Sequence, residues 1–179
     1  LFFAYQVTEK RDFLDAGLKT VAYMRKDLWS PKDKLFFFGR GGATESASRQ
    51  GASGPGGTLL RAFVTGSNLR VARVLLYAHL FEPDAGHLRL ADDLIHRLAA
   101  AAWTPGQGIS REIRRGKGAG IRYLEDQVEW MGSLLDLYQL TADTRHLRSA
   151  EEFVRHDLKL FAEDALSADT YHLLGPGAK

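Results

Sequence analysis

The densest chemistry in the chain lies in one short run, Arg122-Tyr123-Leu124-Glu125-Asp126-Gln127-Val128-Glu129-Trp130. It gathers carboxylates, an amide, a guanidinium and two aromatic rings. Glu125 and Glu129 stand four residues apart, so on a helix they share a face and mutual repulsion can raise the pKa of one. A carboxyl shifted in that way is suited to general acid/base work. The same residues also have an ordinary structural explanation. Acidic side chains in a first helical turn are favoured by the helix dipole, and Leu134 and Leu137 continue the stripe of Trp130 as core residues would.

A segment carrying such groups needs helices to aim them, and the apolar spacing supplies these. Phe13, Leu14, Gly17, Leu18, Val21 and Ala22 recur at threes and fours, as do Leu88, Ala91, Leu94, Ile95 and Leu98, and then Leu147, Ala150, Phe153, Val154, Leu158 and Phe161. Each set gives a helix with one apolar face. Residues 69–81 (LRVARVLLYAHLF) and 123–140 are apolar nearly all round and read as inner, enclosed helices. Two stretches separate them. Residues 39–57 are Gly/Ser-rich and read as a mobile loop, and residues 104–120 form a basic, Gly-rich connector with Arg111, Arg114, Arg115 and Lys117. That basic stretch reads as solvated, with contact to phosphate or acidic groups as the other possibility.

The segments beginning at Tyr5, His79 and Tyr138 align without gaps at offsets of 74 and 59 residues. Phe13-Leu14, His87-Leu88 and His146-Leu147 fall together, followed by Gly17, Ala91 and Ala150; Trp29 and Trp103 obey the first offset. This is a helical hairpin used three times, at about residues 1–38, 66–103 and 122–164, within one domain spanning 1–179. The fold expected is all-α, and hairpins of this kind must stack side by side to bury their faces. The second offset sets Ser67, Asn68 and Arg70 at the places of Asp126, Gln127 and Glu129. Ser67 and Asn68 also suit a helix cap. A position that accepts Phe is a packing position, so His87 and His146 read as packing residues, and His79, His96, His156 and His172 show no ligand spacing. No metal and no cofactor are expected.

Composition narrows the field. The 179 residues carry no cysteine, which excludes disulfides, thiolate metal sites and a CxxC redox motif within this stretch. Lys and Arg number 24 against 22 Asp and Glu, and a net charge of +2 gives little reason to expect nucleic acid. No apolar run reaches the length of a membrane span and no signal peptide is visible. The compartment stays open, with the cytoplasm the default. The Gly-rich loop contains no phosphate-binding GxxxxGK[ST].

The hairpin pattern resembles the α/α toroid of the six-hairpin glycosidase superfamily. Within it, the chain resembles the helical domain of the YyaL-like thioredoxin-domain proteins, a family that includes the spermatogenesis-associated thioredoxin-like proteins. The likeness rests on residues 4–38 (AYQVTEKRDFLDAGLKTVAYMRKDLWSPKDKLFFF), similar to a hairpin ending in a DL-x-x-P-x-x-G-F-type turn. It rests also on residues 65–84 (TGSNLRVARVLLYAHLFEPD), similar to a hairpin opened by T-x-W-N, and on residues 123–147 (YLEDQVEWMGSLLDLYQLTADTRHL), similar to a Y/F-L-E/D-D hairpin. Ser67 stands where that family usually has Trp. Gln127-Val128-Glu129 is similar to the Q-x-E motif of the N-acylglucosamine 2-epimerase family.

The resemblance implies an incomplete (α/α)6 toroid of about three hairpins, cut inside a helix at Leu1, with a pocket where inner helices begin. It implies Glu125, Asp126 and Glu129 as catalytic candidates, and Asn68, Arg70, Tyr123, Gln127 and Trp130 as substrate contacts. A sugar would use the carboxylates for proton transfer, amide and guanidinium for its hydroxyls, and an aromatic face for its CH groups. A glycosidase- or epimerase-like activity follows as the expectation, with a sugar ligand. Hydrolysis would need a second carboxyl about 5–9.5 Å across the scissile bond. A non-catalytic scaffold, packing against the rest of a toroid or another protein chain, is the alternative.

Overall fold

The computed structural model describes residues 1–41, 53–54, 57–156 and 172–173. Among them, α1 (Phe2–Thr8) pairs with α2 (Arg11–Tyr23), α3 (Thr65–His79) with α4 (His87–Ala102), and α5 (Leu124–Thr141) with α6 (Thr144–His156). Sequence pattern explains which helix is enclosed. On α3, Leu69, Ala72, Leu75, Leu76 and Ala78 are all buried, and the helix packs on α4, on α5 and on α2. On α4 only the stripe His87, Ala91, Leu94, Ile95, Leu98 and Ala102 is buried, which is the one-faced pattern of an outer helix. α2 continues through a wide π turn (Met24–Leu28) that buries Leu28.

The all-α expectation needs amending, because every connection between hairpins is built of short strands. After α2, β1 (Trp29–Ser30) pairs antiparallel with β2 (Leu35–Phe36), Trp29 opposite Phe36. The Gly/Ser-rich stretch, read as loop, is strand at its described ends: β3 (Gly39–Gly41) and β4 (Ser53–Gly54) both pair with β5 (Gly57–Leu60). Residues 42–52 and 55–56 of that stretch lie outside the described residues. β6 (Phe63–Val64) leads into α3.

After α4 the same device returns. β7 (Trp103–Thr104) pairs with β8 (Gly108–Ile109), Trp103 opposite Ile109. The two tryptophans separated by 74 residues thus open equivalent strand pairs. The basic connector then makes β9 (Glu112–Arg114) and β10 (Lys117–Ala119), a tight antiparallel pair whose outer edge is β6. Ile113 turns inward while Arg114, Arg115 and Lys117 face solvent, as a solvated basic stretch should. β11 (Arg122–Tyr123) enters α5 and pairs with β12 (His172–Leu173). The third hairpin was expected to run to about residue 164; its part beyond 156 lies outside the described residues.

Candidate functional site at the starts of two inner helices

The repeat offset of 59 residues puts two amide side chains at equivalent places, and both do the same work. Asn68 Oδ1 accepts from the Phe36 N–H (2.7 Å), while its Nδ2 donates to Phe36 O (2.9 Å) and to Val64 O (3.0 Å). Gln127 Oε1 accepts from the Ile109 N–H (2.7 Å), and its Nε2 donates to Ile109 O (2.9 Å) and to Tyr123 O (2.9 Å). Phe36 and Ile109 are the residues facing Trp29 and Trp103 across the strand pairs. Each inner helix is therefore latched at its start to the strand pair that closes the preceding hairpin. Both amides are buried, with their hydrogen bonds spent on backbone. Asn68 and Gln127, expected as substrate contacts, are here bonded to backbone as latches. Trp130 is likewise core, its ring 6.4 Å from that of Trp103.

The charged residues behave differently. Arg70 donates through Nε to Glu129 Oε1 (3.0 Å) and through Nη2 to Glu125. Arg73 donates to Glu129 Oε2 (3.1 Å) and Asp136 Oδ2 (2.7 Å). The pairs climb in step along both helices, so α3 and α5 run parallel with their N-terminal ends side by side. Arg70 and Glu125 are about half exposed, at 51% and 54%, and face solvent; Glu129 is 16% exposed. Hydrogen bonding to Arg70 holds the Glu125 carboxyl below its ordinary range, with help from Arg111. Arg70 lies between Glu125 and Glu129 and bonds to both, so the Glu125 carboxyl is lowered and not raised as the spacing alone suggests.

Asp126 is fully buried. Its Oδ1 accepts from Arg111 Nη1 at 3.0 Å, while Oδ2 has no hydrogen-bond partner. Burial pushes this carboxyl up to about 6, against the opposing pull of Arg111 and the Gly66 N–H. Gly66 is required here by close approach: a Cβ at that position would collide with Asp126 Oδ1. Arg111 also lies over the Tyr123 ring, 5.0 Å from its centroid.

The structure thus brings Arg70, Tyr123, Glu125, Asp126 and Glu129 to one place and withdraws Asn68, Gln127 and Trp130 from it. It adds three residues. Arg73 stands one turn after Arg70 and Asp136 two turns after Glu129, a spacing visible in the sequence. Arg111 comes from the connector, where no periodicity announces it. Chemically the site offers half-exposed charged groups suited to polar ligands and one sealed carboxyl poised near neutrality.

Comparison with known proteins agrees with this architecture. No family model and no curated protein matches the chain. Among solved structures it is similar to a sugar epimerase from a ruminal bacterium, with a TM-score of 0.63, 15% identity, and coverage of 87% of this chain and 38% of that one. It is similar also to cellobiose 2-epimerase from Bacillus thermoamylovorans B4167, with a TM-score of 0.62, 16% identity, and coverage of 84% and 37%. These are α/α-toroid proteins, so the fold is of that type, and the chain spans less than two-fifths of either. The YyaL-like resemblance rests on its sequence motifs alone.

Proposed function

We propose that this chain forms the sugar-contacting starts of inner helices in an α/α toroid of the sugar-epimerase type. The observation that carries the reading is the half-exposed Arg70–Glu125 pair at the joined N-terminal ends of α3 and α5. Burying such a pair in a core would be costly, whereas at a ligand face it offers donors and acceptors for hydroxyl groups. In this reading Arg70, Glu125 and Glu129 hold hydroxyls and Tyr123, braced by Arg111, supplies an aromatic edge. Asp126 is the acid/base candidate, and its carboxyl reaches a ligand only when the Arg111 contact opens. Epimerisation next to a carbonyl needs a proton removed on one face and returned on the other, so a second group must come from further hairpins. The reading also accounts for apolar side chains left open on α1, Phe3 and Val7, and on α5, Val128, as surfaces for neighbouring hairpins. The alternative of a non-catalytic scaffold gains nothing from likenesses to enzymes.

The test is calorimetric titration with a panel of monosaccharides and cellobiose on wild type, Arg70→Ala and Glu125→Gln. Binding that weakens at least tenfold in both variants, with unchanged melting, is the expected result. Absence of binding to every sugar, or binding indifferent to both substitutions, would overturn the reading.

A further inference from the structure

The outer helices of successive hairpins, α4 and α6, meet at three side chains that the sugar site does not use. Asp92 and His96 are four residues apart on α4 and share a face; His146 lies in the first turn of α6. Asp92 Oδ1 is 3.0 Å from His96 Nδ1 and 3.9 Å from His146 Nε2. One ligand atom from each residue lies within 4.8 Å of the other two. A four-coordinate zinc ion with bonds of about 2.0–2.2 Å holds its ligand atoms about 3.4 Å apart, close to the spacing of the trio. His96 Nδ1 also lies 2.9 Å from the Asp92 carbonyl oxygen, so binding the ion means releasing that contact.

Two further observations point to a ligand. Asp92 Oδ1 is shielded from water yet accepts no hydrogen bond of adequate geometry, leaving a charged acceptor aimed into the cluster. The fold itself does not call for these residues. At the preceding junction the repeat sets Leu18 and Ala22 in place of Asp92 and His96. There His87, the equivalent of His146, meets Glu82 Oε2 at 3.2 Å and Arg25 Nη1 at 3.4 Å. Adjacent outer helices thus pack without the trio.

We propose that Asp92, His96 and His146 bind one divalent transition-metal ion, zinc in the first instance, tying α4 to α6. Two imidazoles and a carboxylate are a zinc donor set, and the fourth position falls to water on the side of His96, which is 62% exposed. The site leaves no spacing signal in the sequence, because its third ligand comes from another helix and His146 occupies a place that also accepts Phe.

Zinc chloride titrated into the untagged chain, followed by calorimetry and by the ring 15N resonances of its histidines, tests the proposal. One equivalent is expected to bind and to move the His96 and His146 resonances together. His96→Ala and Asp92→Asn, both at partly exposed positions, should each weaken binding at least tenfold while melting like wild type without metal. His79→Ala should bind as wild type does. Failure to bind one equivalent, binding undiminished in both variants, or binding that leaves the His146 ring unmoved would each overturn it.

Discussion

The starts of α3 and α5 occupy equivalent places in the repeat, and they agree at one position and differ at the next. Asn68 and Gln127 are chemically alike and make the same three hydrogen bonds. Arg70 and Glu129, also 59 residues apart, carry opposite charges and bond to each other. Ser67 and Asp126 differ again, and only the acid is paired with Arg111. Where the two copies agree, the side chain fastens its helix to the strand pair that ends the preceding hairpin; where they differ, it pairs α3 with α5, meets the connector or faces solvent. The candidate site is therefore the part of the repeat that the repeat does not dictate.

The sharpest way to break this comparison is to remove a latch. Gln127→Leu keeps the bulk but strands the buried N–H and C=O of Ile109. Each orphaned group costs about 1–3 kcal/mol, so a loss of about 3–5 kcal/mol is expected by urea denaturation. Asn68→Leu, acting on Phe36, should cost the same to within about 1 kcal/mol. A much smaller loss at Asn68 would mean that the two amides are not equivalent, and would reopen a ligand role for one.

Asp126 distinguishes the copies through pH. Its folded pKa is raised to about 6, so the folded state holds the proton more tightly than the unfolded chain does. The stability this provides is complete below the unfolded value near 4 and is lost as pH rises through about 6. Asp126→Asn cannot titrate, so its stability relative to wild type should climb by about 2–3 kcal/mol between pH 4 and pH 7. Parallel pH profiles for the two proteins would show that the carboxyl is not held in this way. Gly66→Ala tests the same contact from the α3 side. The added methyl meets a short buried side chain that cannot swing away, and a loss of about 1–3 kcal/mol in chemical denaturation is expected. An unchanged midpoint would remove the close approach of α3 to Asp126.

Much of this is legible in the sequence, and the reasons are physical. Helical hairpins reveal themselves because a period near 3.6 and a buried stripe leave a mark at every turn, as from Leu88 to Leu98. The strands did not, because pairs such as Trp29–Ser30 with Leu35–Phe36 are two residues long and leave no alternation to count. Arg70 and Glu129 are legible as counterparts through the 59-residue offset, and Glu125 through its place four residues before Glu129. The latches are not legible, because an amide beside carboxylates suits a sugar and a backbone equally well, and only burial separates the two. Arg111 was hidden, since nothing in a Gly-rich connector tells which arginine turns inward over Tyr123.

The smallest expected effect is the most discriminating. Removing Arg70 should barely change stability, for two reasons. The pair it makes with Glu125 is about half exposed, and exposed ion pairs contribute about 0.2–1 kcal/mol. Glu129, its more buried partner, keeps the 3.1 Å bond from Arg73. Asp136 has no such substitute for Arg73: losing Arg73 leaves that carboxylate without its cation, while Glu129 keeps the 3.0 Å bond from Arg70. A double-mutant cycle on Arg70 and Glu125 should therefore give a coupling below about 1 kcal/mol, falling further with added salt. Arg73→Ala should cost visibly more than Arg70→Ala in the same denaturation series. If Arg70→Ala proves the costlier, Arg70 is a strut between α3 and α5, and the half-exposed pair no longer separates a ligand face from a structural one.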